Sequence, residues 1–307
     1  MRDKKEKDKD KRNKYKTKED DEMGRKLFCE ISPFTYAISE KKCIMMRNLI
    51  NAFTARNLAD TRQEKELEYV ICRHNSLIRR RLGNVNMQLQ ENKAVNLSIA
   101  APKVNKVIIR PGEIFSFWHL VGKISEKKGY KEGLTIFGDH ASSGIGGGMC
   151  QMTNLIHWMI LHSDMEIVEH HHHDGLDLFP DFQRKIPFGT GTSIMYNYLD
   201  YRFRNTTDRT YQLIVYTTDE YLCGELRADS RQRYKYHISA ENVYFSREGK
   251  DVYRNGEVYR DKVDRITGEH VGKELIRRNH AKVLYDTAGL EIRDDNAAAG
   301  AAHVLCA

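Results

Sequence analysis

No apolar run in this 307-residue chain approaches the ~18 residues that a membrane-crossing helix needs. The opening stretch, MRDKKEKDKDKRNKYKTKEDDE, is charged throughout and lacks the apolar centre of an export signal. Cysteine is sparse. Cys29, Cys43, Cys72, Cys150, Cys223 and Cys306 form no CxxC or other zinc spacing, and they are too few for a disulfide framework in a chain this long. Charge of one sign is also missing: residues 1–22 mix ten basic with eight acidic side chains, and the whole chain carries only +7. Phosphate binding calls for basic charge without its own counterions, so no nucleic-acid partner is expected. Nothing repeats internally. These absences together lead to the expectation of a cytoplasmic protein with reduced thiols and no transmembrane segment.

What is present is a folded chain, 40% apolar with 16 tyrosines. Residues 1–22 read as a disordered charged tail. Residues 23–105 read as a helical N-terminal region. Within it Leu67, Val70, Ile71, Leu77, Ile78 and Leu82 recur at three- and four-residue steps, with Arg79–Arg81 on the solvated face, and a shorter helix is expected over 95–103. A core follows over 106–228. KVIIRPGEIFSFWHLVG (106–122) reads as strand, Pro-Gly turn, strand, and GYKEGLTIF (129–137) as a strand. Met149–His162 reads as a helix whose apolar face is Met152, Leu155, Ile156, Met159 and Ile160. Stretches 193–205, 210–218 and 221–228 read as an antiparallel meander. Residues 229–293 form a β-rich region with a hairpin turn at Thr267-Gly268, and 294–307 a low-complexity tail. The fold class is α+β: N-terminal helices, a mixed core in which a glycine-rich loop leads into a helix, and an antiparallel β-rich C-terminal part.

The chemistry concentrates at GIGGGMCQ (144–151). Consecutive glycines let successive N–H groups converge on an anion, and a helix starting near Met149 adds its own free N–H groups and dipole. Cysteine in that first turn is placed where a thiolate is favoured, and the same N–H groups suit a tetrahedral oxyanion. The alternative is packing: free cysteine is among the most buried residues, and glycines let a helix approach a strand closely. Cys72 and Cys223 fall on core faces. A nucleophile needs a base, and EHHHHDG (169–175) offers histidines on a short strand after the helix. Alternation along an extended segment allows at most two of the four to share a side. Asp200 or Asn197 are the candidates to orient an imidazole. No metal site and no cofactor are expected.

RPGEIFSFWHLVG, GYKEGL, GIGGGMCQMTNLIHWMIL, EIVEHHHH and LDYRFRN, in that order, resemble the VanW family, named for an accessory protein of B-type vancomycin-resistance gene clusters. The likeness runs from about Arg25 to Tyr285. It implies a link to glycopeptide resistance and cell-wall peptide chemistry, and a small-molecule or peptide ligand from cell-wall metabolism. The glycine run, Cys150 and Gln151 match the family pattern, and His173 is the best match, by spacing from Glu169, to the family's following histidine. Two departures stand out. Glu169-His170 replaces a common Glu-Arg step, and GTGTS (189–193) lacks the aspartate of a GxDAT-like stretch, leaving Asp200 to serve. Two functions follow. In a cysteine-dependent hydrolase or acyltransferase, Cys150 attacks, His173 or His172 takes the proton, and Asp200 or Asn197 orients the ring. Gly146, Gly147, Gly148, Met149 and Gln151 then line the substrate and oxyanion site. In a non-catalytic binding module the same loop holds a cell-wall precursor or other anionic ligand, with Phe115, Phe117 and Trp118 either beside it or in the core.

Overall fold

The computed structural model describes residues 28, 31–80, 86–137, 140–172, 175–178, 180–181, 186–196 and 198–294. The expected tail 1–22, all of the 294–307 tail but its first residue, Arg81, His173 and Asn197 lie outside the described residues. Among the described residues no helix is long and apolar enough to cross a membrane.

Two compact units, Met1–Arg47 and Asn48–Ala307, divide the chain. Helix α1 (Pro33–Thr54) begins in the first, at Ser-Pro-Phe-Thr. Ser32 Oγ accepts from the Thr35 N–H at 3.2 Å and Thr35 Oγ1 from the Ser32 N–H at 2.9 Å. Reciprocal capping, with proline at the first helical position, fixes that start.

The second unit continues with β1 (Tyr69–Leu77), α2 (Met87–Val104), β2 (Val107–Ile109), β3 (Ile114–Ser116), α3 (Phe117–Val121), β4 (Glu132–Phe137), β5 (His140–Ile145) and α4 (Cys150–Ile160). Then come β6 (Glu166–Glu169), β7 (Leu176–Asp177), β8 (Arg202–Arg204), β9 (Tyr211–Thr217), β10 (Tyr221–Ala228), β11 (Tyr234–Glu248), β12 (Asp251–Asp264), β13 (His270–Val283) and β14 (Ile292–Asp294). This is an α+β fold, β-rich toward the C-terminus.

Four strands in the order β1-β10-β9-β2 make the sheet under the core. α4 lies on β1 and β10, and α2 lies on β9. The expected apolar face of α4, Met152, Leu155, Ile156, Met159 and Ile160, is fully buried there. The Pro111-Gly112 turn joins β2 to β3, with Gly112 at φ +82°. Phe115 and Phe117 are core residues: Phe115 stacks on Phe203 with ring centroids 4.7 Å apart, and the buried Trp118 donates from its indole to the Leu199 carbonyl at 2.9 Å. A second sheet, β14-β11-β12-β13-β7, carries the long hairpin turning at Thr267-Gly268.

Two expectations are corrected. The stretch around 67–82 is not a helix: Tyr69–Leu77 is an edge strand antiparallel to β10. A register shift between Val70 and Cys72 breaks the two-residue alternation, so the apolar spacing there imitates a helical step. Of 193–205, only Arg202–Arg204 is strand. The part before it is held by single backbone bonds, Ser193 N–H to the His171 carbonyl at 2.7 Å and an isolated Met195–Leu199 bridge, together with side chains.

Candidate functional site: the polar face of α4

Helix α4 is apolar on the side facing the sheet, and its other side carries Cys150, Thr153, Asn154 and His157. Their spacing of three, four and seven residues stacks them on one face. Segment 189–194, the GTGTS stretch and Ile194, lies along that face. Asn154 Oδ1 accepts from the Thr192 N–H at 2.6 Å and from its hydroxyl at 2.8 Å, and the Thr153 and Thr192 hydroxyls meet at 2.5 Å. On its other side the segment meets the histidines: His170 Nε2 bonds the Gly191 carbonyl at 2.9 Å, and the Ser193 N–H donates to the His171 carbonyl at 2.7 Å.

The alternation expected of HHHH holds over its described part. His170 and His172 turn toward the segment, with ring centroids 6.3 Å apart, while His171 turns back to Glu169 Oε1 at 3.0 Å. A β-carbon on Gly191 would lie 3.7 Å from His172 Nε2 and 3.9 Å from Asn154 Oδ1. The imidazole of His172 and the amide of Asn154 therefore converge on one small space at Gly191. Deeper in, the His170 ring stacks on His157 at 4.3 Å between centroids, and His157 Nδ1 meets the Tyr201 hydroxyl at 3.0 Å. Burial, and secondarily His170, His172 and Arg260, holds the His157 pKa well below the ordinary imidazole value. Burial likewise pushes Tyr201 well up. Both groups are neutral at physiological pH.

Cys150 opens α4 as expected and is half-buried; burial pushes its pKa up, opposed by backbone hydrogen bonds from Ile194 and from its own N–H. The glycine loop is filled by the protein's own atoms. Gly147 and Gly133 abut backbone to backbone, and a β-carbon on Gly148 would strike the Lys93 stem. The Gly146 and Gly147 N–H groups donate to the Lys131 and Gly144 carbonyls, and those of Gln151 and Met152 to Gly148 and Met149. Met149 is buried in the core. The Gln151 side chain ties α4 to β1, donating to Ser76 Oγ and the Leu77 carbonyl, each at 2.9 Å.

Asp200 is fully buried and has no imidazole among its described partners. Its carboxylate accepts from Ser116 Oγ at 2.6 Å, the Trp118 N–H at 3.1 Å, the Tyr201 N–H at 2.9 Å and Arg202 Nε at 2.7 Å. The structure thus brings Cys150 and His172 to the two sides of segment 189–194 and sets Asp200 apart as a fold-holding carboxylate. Sequence reasoning missed Thr153, Asn154, His157 and Thr192. The signal was available in part, as polar residues at helical spacing on one face of an otherwise apolar helix.

No group of three or more described histidine, cysteine, aspartate and glutamate side chains is arranged to hold a metal ion.

Comparison with known proteins fits this arrangement. The family model described as VanW like protein matches residues 92–227, from α2 through β10. The vancomycin B-type resistance protein VanW of Enterococcus faecalis is 34% identical over 263 residues, covering 86% of this chain and 95% of the relative. The uncharacterized protein YoaR of Bacillus subtilis is 27% identical over 118 residues, covering 38% of this chain and 36% of that protein. No solved structure matches. With near-complete coverage of one relative and a family model centred on the glycine loop and α4, the chain belongs to the VanW family.

Proposed function

We propose that this protein takes part in vancomycin B-type resistance or a closely related cell-wall step, by binding a cell-wall peptide or its precursor at the polar face of α4. The relative's name supports the setting. The carrying observation is that His172 Nε2 and Asn154 Oδ1 both lie within 4 Å of where a β-carbon on Gly191 would sit, 3.7 and 3.9 Å away, next to the stacked His170–His157 rings. Imidazole and amide side chains carry both donor and acceptor positions, which suit the amide groups of a peptide.

A binding role accords with the chemistry of Cys150 better than a nucleophilic one. A thiol whose pKa is raised by burial keeps its proton near neutral pH, and the thiolate is the reactive form. The test is calorimetric titration with cell-wall peptides ending in D-amino acids. Binding is expected to weaken at least about tenfold in His172→Ala and to stay within about threefold in Cys150→Ser, with the peptide recovered intact. No binding by the wild-type protein overturns the proposal.

A second reading, cysteine-dependent hydrolysis or acyl transfer, is favoured by two contacts: backbone hydrogen bonds to the sulfur from Ile194 and from Cys150 itself, which lower the thiol pKa against the effect of burial. Cleavage or transfer of the peptide that disappears in Cys150→Ser, with binding retained, would establish that reading in place of the first.

A further inference from the structure

On the opposite side of the glycine loop, α2 presents a buried polar stripe, Gln90, Lys93 and Asn96, spaced to share one face. Asn96 fastens the loop to the helix. Its amide donates to the Lys131 and Gly147 carbonyls at 3.0 Å each, and its oxygen accepts from the Lys131 N–H at 2.8 Å. Lys93 has no fastening role of that kind. It is only 7% exposed, and its stem covers Gly148. Its ammonium donates to one neutral acceptor, Gln90 Oε1, at 2.7 Å. The same oxygen accepts from the Arg80 N–H at 3.4 Å.

Among the described residues no carboxylate pairs with Lys93. The nearby charges are those of Arg80 and Arg79, both of its own sign, and Arg79 is already tied to Glu91 at 2.7 Å. Burying an ammonium without a counterion is costly, and neighbouring cations add to that cost. A leucine or methionine would cover Gly148 equally well without it.

We infer that Lys93, flanked by Arg80, is the anchor of a site for a small oxyanion group, a carboxylate or phosphate carried by a ligand, at the junction of α2, the end of β1 and the glycine loop. The anion supplies the countercharge that Lys93 lacks among the described residues. This site is separate from the polar face of α4 and stands independently of the function proposed for that face.

The test uses the full chain, with sodium sulfate as the phosphate probe and sodium acetate as the carboxylate probe, against sodium chloride at matched ionic strength. At about pH 6 one or both anions are expected to raise the unfolding temperature above the chloride control, and Lys93→Met is expected to lose that increment while folding normally in chloride. Burial and the two arginines lower the Lys93 pKa to about 7. Sulfate affinity of the wild-type protein should therefore fall at least about tenfold between about pH 6 and about pH 8.5, a readout that needs no variant. A response to acetate alone assigns a carboxylate ligand, and a response to sulfate alone a phosphate. Equal stabilisation of wild type and Lys93→Met, an affinity unchanged across that pH range, or no stabilisation by either anion overturns the inference.

Discussion

His157 and His170 stack ring on ring, with centroids 4.3 Å apart and planes 28° from parallel, and His157 Nε2 has no hydrogen-bond partner among the described residues. His157 is accommodated there only while uncharged, which gives the fold an acid limit. Above about pH 6.5 neither the folded nor the unfolded chain protonates His157. Below it the unfolded chain takes up a proton that the folded one refuses. Stability is then lost by about 1.4 kcal/mol per pH unit down to the folded-state pKa. Urea midpoints measured from about pH 7 to about pH 5 should show this slope, and His157→Gln should flatten it. His162, whose pKa burial also lowers, leaves a residual slope, and Lys93, lowered to about 7, contributes at the upper edge of this window. A slope unchanged in His157→Gln would rule out a neutral, buried His157 as its source.

The backbone contact between Gly147 and Gly133 leaves no room for a methyl group on either residue. Gly147→Ala and Gly133→Ala are each expected to cost about 3 kcal/mol of unfolding free energy, and the double variant less than the sum. Chemical denaturation is the measurement. A neutral Gly147→Ala would mean that the loop stands open, as a ligand-binding nest requires.

Asp200 is expected to act on stability. Its carboxylate gathers the β3–α3 junction and Arg202 through Ser116, Trp118 and Tyr201. Asp200→Ala leaves Ser116 Oγ and the Trp118 and Tyr201 N–H groups without their acceptor. It also takes the shortest carboxylate contact from Arg202, which keeps Glu169 at 3.6 Å and Asn51 at 2.7 Å. The change should cost about 3 kcal/mol. If stability is intact and only ligand binding or turnover changes, Asp200 has the orienting role instead.

Cys150 should alkylate slowly. With burial raising its pKa, its rate with iodoacetamide near neutral pH is expected to be at least about tenfold below that of free cysteine, as read by mass spectrometry on the intact protein. Faster reaction than free cysteine would restore the nucleophile.

Elements set by local pattern were legible in the sequence. The amphipathic stripe of α4, the Pro-Gly turn, the C-terminal hairpin and the alternation of His170, His171 and His172 all rest on periodicity or turn chemistry that neighbours in sequence decide. β1 was misread because a bulge disguised its alternation and because its partner, β10, is remote in the chain. The site was half legible. Cys150 stood out by its flanking glycines, yet the packing of those glycines against Gly133 and Lys93 is a tertiary fact. Asp200 looked like a possible orienting acid because nothing local reveals that Ser116 and Arg202 occupy it. Lys93 was invisible, since lysine in a helix reads as solvated until the fold buries it.

The β1–β10 pairing also fixes when this protein can fold. Arg227 donates to the Leu67 carbonyl, 160 residues away along the chain, and α4 rests on both strands of the pair. As the chain leaves the ribosome, the apolar face of α4 is made well before half of the surface that covers it exists. Until β10 emerges, Met152, Leu155 and Met159 have no complete floor, and closing so long a loop is slow. Chains stopped short of residue 228 therefore leave the apolar face of α4 without its β10 floor.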